Sequence, residues 1–199
     1  MNKIYELIWA EAKELQDLRE DEGHARAVTD FAIALCKLLG GDERVVIPAA
    51  ILHDIGYYGM DKKVLIDLMA GKLSEEHTKK IKEDHMKNGS ELAREILMKL
   101  NYPQELIGEI RRIIEKHDLD IAPESIEEKI VRDSDKLWRF SKAGFNVDIK
   151  RRNCLNSFWH DYLLKNLDKP NYFLTEEARD MAKKELSKRK NEFEKKQSQ

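Results

Sequence analysis

The sequence predicts an all-α protein, and three observations carry that expectation. Apolar residues recur at three- and four-residue spacing along most of the chain, as in Ile4, Leu7, Ile8, Ala12, Leu15 and Leu18. No stretch alternates with period two for long enough to form a strand. The breaks in the helical pattern fall at Gly40-Gly41, Asn101-Tyr102-Pro103 and Lys169-Pro170-Asn171, where glycine or proline stops a helix.

Taken in order, the first helix is expected over 3–19. Asp21 is placed to cap the second, whose first turn holds His24 and which continues through Val28, Ala32, Leu35 and Leu39. The third begins after Asp42 and runs through the apolar stretch 45–52 to His53-Asp54. Gly56, just beyond, is expected to end it in a left-handed conformation. A short helix over 62–69 precedes a long one that opens at Ser74-Glu75-Glu76-His77 and carries Ile81, His85, Leu92, Ile96 and Leu100. Beyond Pro103, Ile107, Ile110, Ile114 and His117 share one stripe, which aims His117 inward. A helix over 126–141 follows. Past Gly144 the pattern weakens, with helices expected only over 154–164 and 175–194.

A chain of 199 residues suits one domain with a sizeable core. The 36 Lys and Arg nearly balance the 38 Asp and Glu, so no global field marks a binder of nucleic-acid polymers. Cys36 and Cys154 form no CxxC pattern and are expected as reduced thiols in a cytoplasmic protein. No apolar run approaches the ~20 residues that span a bilayer, and no signal peptide is evident, so no membrane partner is expected.

Ala49-Ala50-Ile51-Leu52-His53-Asp54-Ile55-Gly56 is where chemistry enters. An imidazole and a carboxylate under apolar neighbours are costly to bury unless something satisfies them. A divalent cation satisfies both in their deprotonated forms. The dipeptide alone is uninformative, since it recurs at His117-Asp118 and His160-Asp161. His53-Asp54 is set apart by His24 before it, His85 and His117 after it, and Asp135 within Val131-Arg132-Asp133-Ser134-Asp135-Lys136-Leu137.

That order, His, His-Asp, His, His, Asp, resembles the HD-domain superfamily of metal-dependent phosphohydrolases. The resemblance covers about 20–140, with 141–199 as a looser C-terminal helical extension, and it implies roles. His24, His53, Asp54 and Asp135 would hold Mn²⁺, Fe²⁺ or Mg²⁺, leaving two positions of an octahedral ion for a phosphate oxygen and a water. Helical periodicity does not choose between Asp133 and Asp135. The family pattern places the ligand before a basic residue and a leucine, as in Asp135-Lys136-Leu137, and leaves Asp133 as a hydrogen-bond partner for a ligand histidine. His85 opens His85-Met86-Lys87-Asn88-Gly89-Ser90-Glu91-Leu92-Ala93, a segment that also resembles the family. With His117 it would hold the substrate phosphate, a second ion, or the leaving-group proton.

The sequence departs from some HD nucleotidases in one respect. They carry a glutamate as general base at or near the third residue after the His-Asp pair, where this chain has Ile55-Gly56-Tyr57-Tyr58, so a metal-bound hydroxide or water oriented by Asp54 would have to suffice. For phosphate, Lys136 is the first choice, ahead of Arg139, Lys62 and Lys63. Tyr57, Tyr58 and Trp138 could stack on a base or fill the core. His77 and His160 are expected at the surface. The implied function is hydrolysis of a small phosphorylated substrate such as a nucleotide, with Asp54, His85 and His117 catalytic. A non-catalytic metal and nucleotide sensor is the alternative, and a homo-oligomer is compatible with either.

Overall fold

The computed structural model describes residues 2–197, and among them every regular element is helical. α1 (Lys3–Ala12) runs into a 3₁₀ turn (Lys13–Leu15) and is followed by α2 (His24–Leu39) and α3 (Glu43–Leu52). A second 3₁₀ turn (Ile55–Tyr57) leads to α4 (Lys62–Met69), α5 (Glu75–Lys99), α6 (Gln104–Lys116) and α7 (Ile126–Trp138). α8 (Lys142–Arg152), α9 (Asn156–Leu167) and α10 (Glu176–Gln197) complete the chain.

α3 is the central post. Every residue from Val45 to Leu52 is buried, and α1, α2, α6 and α7 pack around it. Pro48 lies inside it and has no N–H for the Arg44 carbonyl; the Tyr102 hydroxyl donates to that carbonyl instead, at 2.7 Å. α2 lies against α7, α5 against α6, and α10 against α9 and α7. A single apolar cluster runs from Tyr5 and Ile8 of α1 to Ala182 and Leu186 of α10.

Four local expectations need correction. The first helix stops at Ala12, because the following loop docks on the end of α3, with Gln16 Nε2 donating to the Ile51 carbonyl at 2.7 Å. Asp21 does not cap α2. Asp17 does, accepting from Gly23 N at 2.8 Å and Ala25 N at 3.1 Å, while Asp21 pairs with Arg19. Gly56 is not left-handed; its use is close approach. A Cβ there would sit 1.8 Å from the His85 carbonyl oxygen and 2.4 Å from Gly89 N, so only glycine lets the second 3₁₀ turn lie directly on α5. His160 is buried in α9, beside the Phe193 ring and 3.0 Å from the Asp161 carboxylate, whereas His77 is exposed as expected.

α8 has no counterpart in the sequence expectation. The face it buries carries Gly144, Phe145 and Asp148, only one of which is a large apolar residue. Its turn is set by Ser141, whose hydroxyl donates to the Trp138 carbonyl and accepts from Gly144 N. A Cβ on Gly144 would lie 2.1 Å from the Trp138 carbonyl oxygen, so the glycine lets α8 fold back against the end of α7.

Candidate metal centre

Two helices and one helix end bring the His/Asp set together. His24 comes from the first turn of α2, His53 and Asp54 from the end of α3, and Asp135 from the last turns of α7. One potential ligand atom from each lies within 4.8 Å of all the others. The two Nε2 atoms of His24 and His53 face each other at 3.0 Å. Asp54 Oδ2 lies 3.0 Å from the first and 3.3 Å from the second, and Asp135 Oδ1 lies 3.4 and 3.6 Å from the same two nitrogens.

This donor set fits a divalent cation. His53 is turned by its own helix, since Nδ1 donates to the Ala50 carbonyl at 2.9 Å and leaves Nε2 aimed at the cluster. His24 Nδ1 is buried with no protein partner. Two carboxylates match the charge of one such ion, and imidazole with carboxylate suits Mn²⁺, Fe²⁺ or Mg²⁺ better than a closed structural Zn²⁺ site.

A second group meets the first at Asp54. His85 and His117 are buried, and their Nε2 atoms lie 3.6 and 3.5 Å from Asp54 Oδ1. His117 is aimed as His53 is, with Nδ1 donating to the Ile114 carbonyl at 2.7 Å. His85 stacks flat on Tyr57, ring centroids 4.1 Å apart, and the Gly56 contact with α5 sets that distance. Burial and the neighbouring His117 push the His85 imidazole down to about 3, so it is neutral. The two oxygens of Asp54 thus serve different histidine pairs.

The charges are internally balanced. Burial alone would lower the His53 pKa, but Asp54 and Asp135 outweigh it and raise it to about 10. Burial would likewise raise Asp54 and Asp135; Arg19 and His53 hold the first well below the usual carboxylate range, and His53 and His24 lower the second. Arg19 donates to Asp54 Oδ2 and to Asp21, and its guanidinium stacks over Tyr57 at 4.7 Å. Sequence reading missed Arg19, which lies where a continuous first helix was expected.

A cavity of about 210 Å³ opens on these groups, lined in part by His24, Asp135, Tyr57 and Trp138. Its cationic wall consists of Arg19, Lys82, Arg139, Arg151 and Arg152. Of the phosphate-binding residues expected from the sequence, only Arg139 is there. Lys136 is not among the lining residues, and its ammonium donates to the Tyr172 carbonyl at 2.7 Å. Lys62 and Lys63 are exposed, as is Tyr58. Arg151 and Arg152 were missed because they belong to α8; the basic run Lys150-Arg151-Arg152 was their one visible signal.

Asp133 is not a partner of any ligand histidine. It accepts from Leu174 N at 2.8 Å, Thr175 N at 2.9 Å and the Thr175 hydroxyl at 2.7 Å, which fastens the start of α10 to α7. It faces the apolar side of α7 with Ile130 and Leu137, and burial raises its pKa against those hydrogen bonds.

The fold and the site together define an all-α protein built around a convergent His/Asp centre of the metal-binding kind. The family model of the HD domain matches residues 22–139, more than half of the chain, and the chain belongs to that family, whose domains bind divalent metals. Among solved structures it is similar to a predicted HD superfamily hydrolase from an uncultured Thermotogales bacterium. That chain is 24% identical, with a TM-score of 0.60, over 100% of this chain and 91% of that one, and the likeness is one of fold. Curated proteins give no match. Family and donor set support a metal-dependent hydrolase. No helix among the described residues is long and apolar enough to cross a membrane.

Proposed function

We propose that the chain is a metal-dependent phosphohydrolase acting on a small phosphorylated molecule, with a nucleotide as the favoured substrate, and that one domain over 1–199 carries the activity. The observation behind this reading is the convergence of four donors within 4.8 Å beside a cavity walled by arginines. His24, His53, Asp54 and Asp135 would hold the cation, which when bound supplies charge for the phosphate and acidity for water. Arg139, Arg151 and Arg152 would bind the substrate's phosphate oxygens, arginine being suited to them by its forked donors. Arg19 fixes the Asp54 carboxylate, which would orient the attacking water. His85 and His117 would contact the phosphate or pass a proton to the leaving oxygen through the Nε2 atoms that face Asp54.

One observation favours a second reading of the histidine pair. Asp54 presents Oδ1 to His85 and His117 and Oδ2 to His24 and His53, the arrangement of a carboxylate shared between two ions. In that case the pair would be ligands instead of phosphate contacts. A panel of nucleoside mono-, di- and triphosphates with Mn²⁺, scored for phosphate and pyrophosphate release, tests the proposal. Metal-dependent release from at least one is expected. Bound metal and nucleotide without turnover would make the chain a sensor, and absence of both would end the phosphohydrolase reading.

A further inference from the structure

Among the described residues that line the cavity, Asp148 carries a carboxylate oxygen without a partner. The residue is 6% exposed, and its Oδ2 is buried without any hydrogen bond. Its other oxygen lies 3.8 Å from the Arg151 guanidinium, beyond hydrogen-bonding distance. The other carboxylates on the cavity wall are engaged: Asp21 by Arg19, Asp118 by Lys82, and Asp135 by the histidines. Oδ2 is closed off, so a donor in the cavity would reach Oδ1, which accepts no hydrogen bond from the protein and keeps its acceptor capacity at the cavity wall.

The fold supplies Asp148 deliberately. It stands on α8, outside the span matched by the HD family model, and α8 is folded onto the site by the Gly144 contact with Trp138. The surrounding wall restricts what the donor can be. Arg19 and Lys82 are paired with Asp21 and Asp118, which leaves Arg139, Arg151 and Arg152 on that wall to attract a phosphorylated ligand. A ligand suited to both features is an anionic molecule that also carries a neutral donor, and on a phosphorylated sugar that donor is a hydroxyl.

We infer that Asp148 is a specificity-determining residue that accepts a hydrogen bond from a sugar hydroxyl of the substrate, while the neighbouring arginines hold its phosphate. This rests on the phosphohydrolase reading of the same cavity. A different role, holding Arg139 and Arg151 in place, would affect every phosphate ligand alike. Selective loss of the hydroxyl preference separates the two.

The test measures affinities of the metal-loaded full chain for adenosine 5′-monophosphate, its 2′-deoxy and 2′,3′-dideoxy analogues, and inorganic phosphate. The native chain should bind the ribose form about tenfold more tightly than the dideoxy form, as one hydrogen bond to a charged acceptor provides. In Asp148→Ala that preference should vanish while phosphate affinity stays within about twofold. Asp148→Asn, which preserves the shape, should reduce the preference and serves if the alanine variant fails to fold. A preference that survives in the variants, a native chain indifferent to the hydroxyls, or an equal loss for all four ligands would overturn the assignment. Phosphate bound without hydroxyl preference sinks this inference alone. Failure of phosphate itself to bind would sink the phosphohydrolase reading with it.

Discussion

The two histidine pairs differ in what surrounds them. His24 and His53 face two carboxylates, and the first of these, Asp54, is itself fixed by Arg19. His85 and His117 face a single oxygen of that same Asp54, and His85 is pressed against an aromatic ring. The first pair has enough negative charge to hold a divalent cation by itself. The second depends on a carboxylate already in use, so it can serve either as a weaker ion site or as a neutral contact for substrate. Charge supply, more than the count of histidines, separates the two halves of the site.

Removing the shared group should have the largest effect. Asp54→Ala is expected to lose bound metal and reduce hydrolysis by about 10³-fold or more, since both pairs lose their carboxylate. It also removes one of the two carboxylates that pair with the largely buried Arg19, so a lower melting temperature should accompany the loss. Full metal content with normal turnover would show that the two pairs do not meet at Asp54.

Next comes Gly56→Ala, which disturbs the second pair without touching a ligand. Its Cβ would meet the His85 carbonyl at 1.8 Å, so the 3₁₀ turn and α5 must separate. A cost of about 3 kcal/mol, the upper range for overpacking, should appear as a lower denaturation midpoint together with reduced activity. Unchanged stability would contradict the contact.

His85→Ala then sharpens the comparison itself. If the pair contacts phosphate or delivers a proton, metal content should persist while turnover falls by about 10²–10⁴-fold, and less for p-nitrophenyl phosphate, whose leaving group needs little protonation. If the pair holds an ion, elemental analysis should instead show stoichiometry falling from two to one.

The smallest effect is expected at Asp133, which touches neither pair. Asp133→Asn should weaken the anchoring of α10 by about 2 kcal/mol, the scale of hydrogen bonds to a charged group. For a chain of this size that is a fall of about 4–8 °C in melting temperature. Metal content should not change, and its loss would return Asp133 to the centre.

What the sequence made legible follows from the same contrast. The histidines and aspartates follow a chemically distinctive order from His24 to Asp135, and the helices that carry them bury plain apolar stripes, so the fold class could be read directly, while the choice of Asp135 over Asp133 came only from the family resemblance. Arg19 and Arg151 could not be read, because one sits in a loop whose Leu15 and Leu18 mimic a continuing helix and the other on α8, which buries a glycine and a carboxylate. Asp133 misled for a similar reason. Its partners, Leu174 and Thr175, lie about forty positions away, and helical spacing says nothing of them.

The central claim is that His24, His53, Asp54 and Asp135 hold one divalent cation independently of the second pair. Elemental analysis of metal per chain, for the native protein and Asp135→Asn after saturation with Mn²⁺ and removal of free ion, addresses it most directly. The native chain should retain at least one ion per molecule, and Asp135→Asn should retain less than about a tenth of that at this position. A native chain that retains no metal, or a variant that retains as much as the native protein, would contradict the claim.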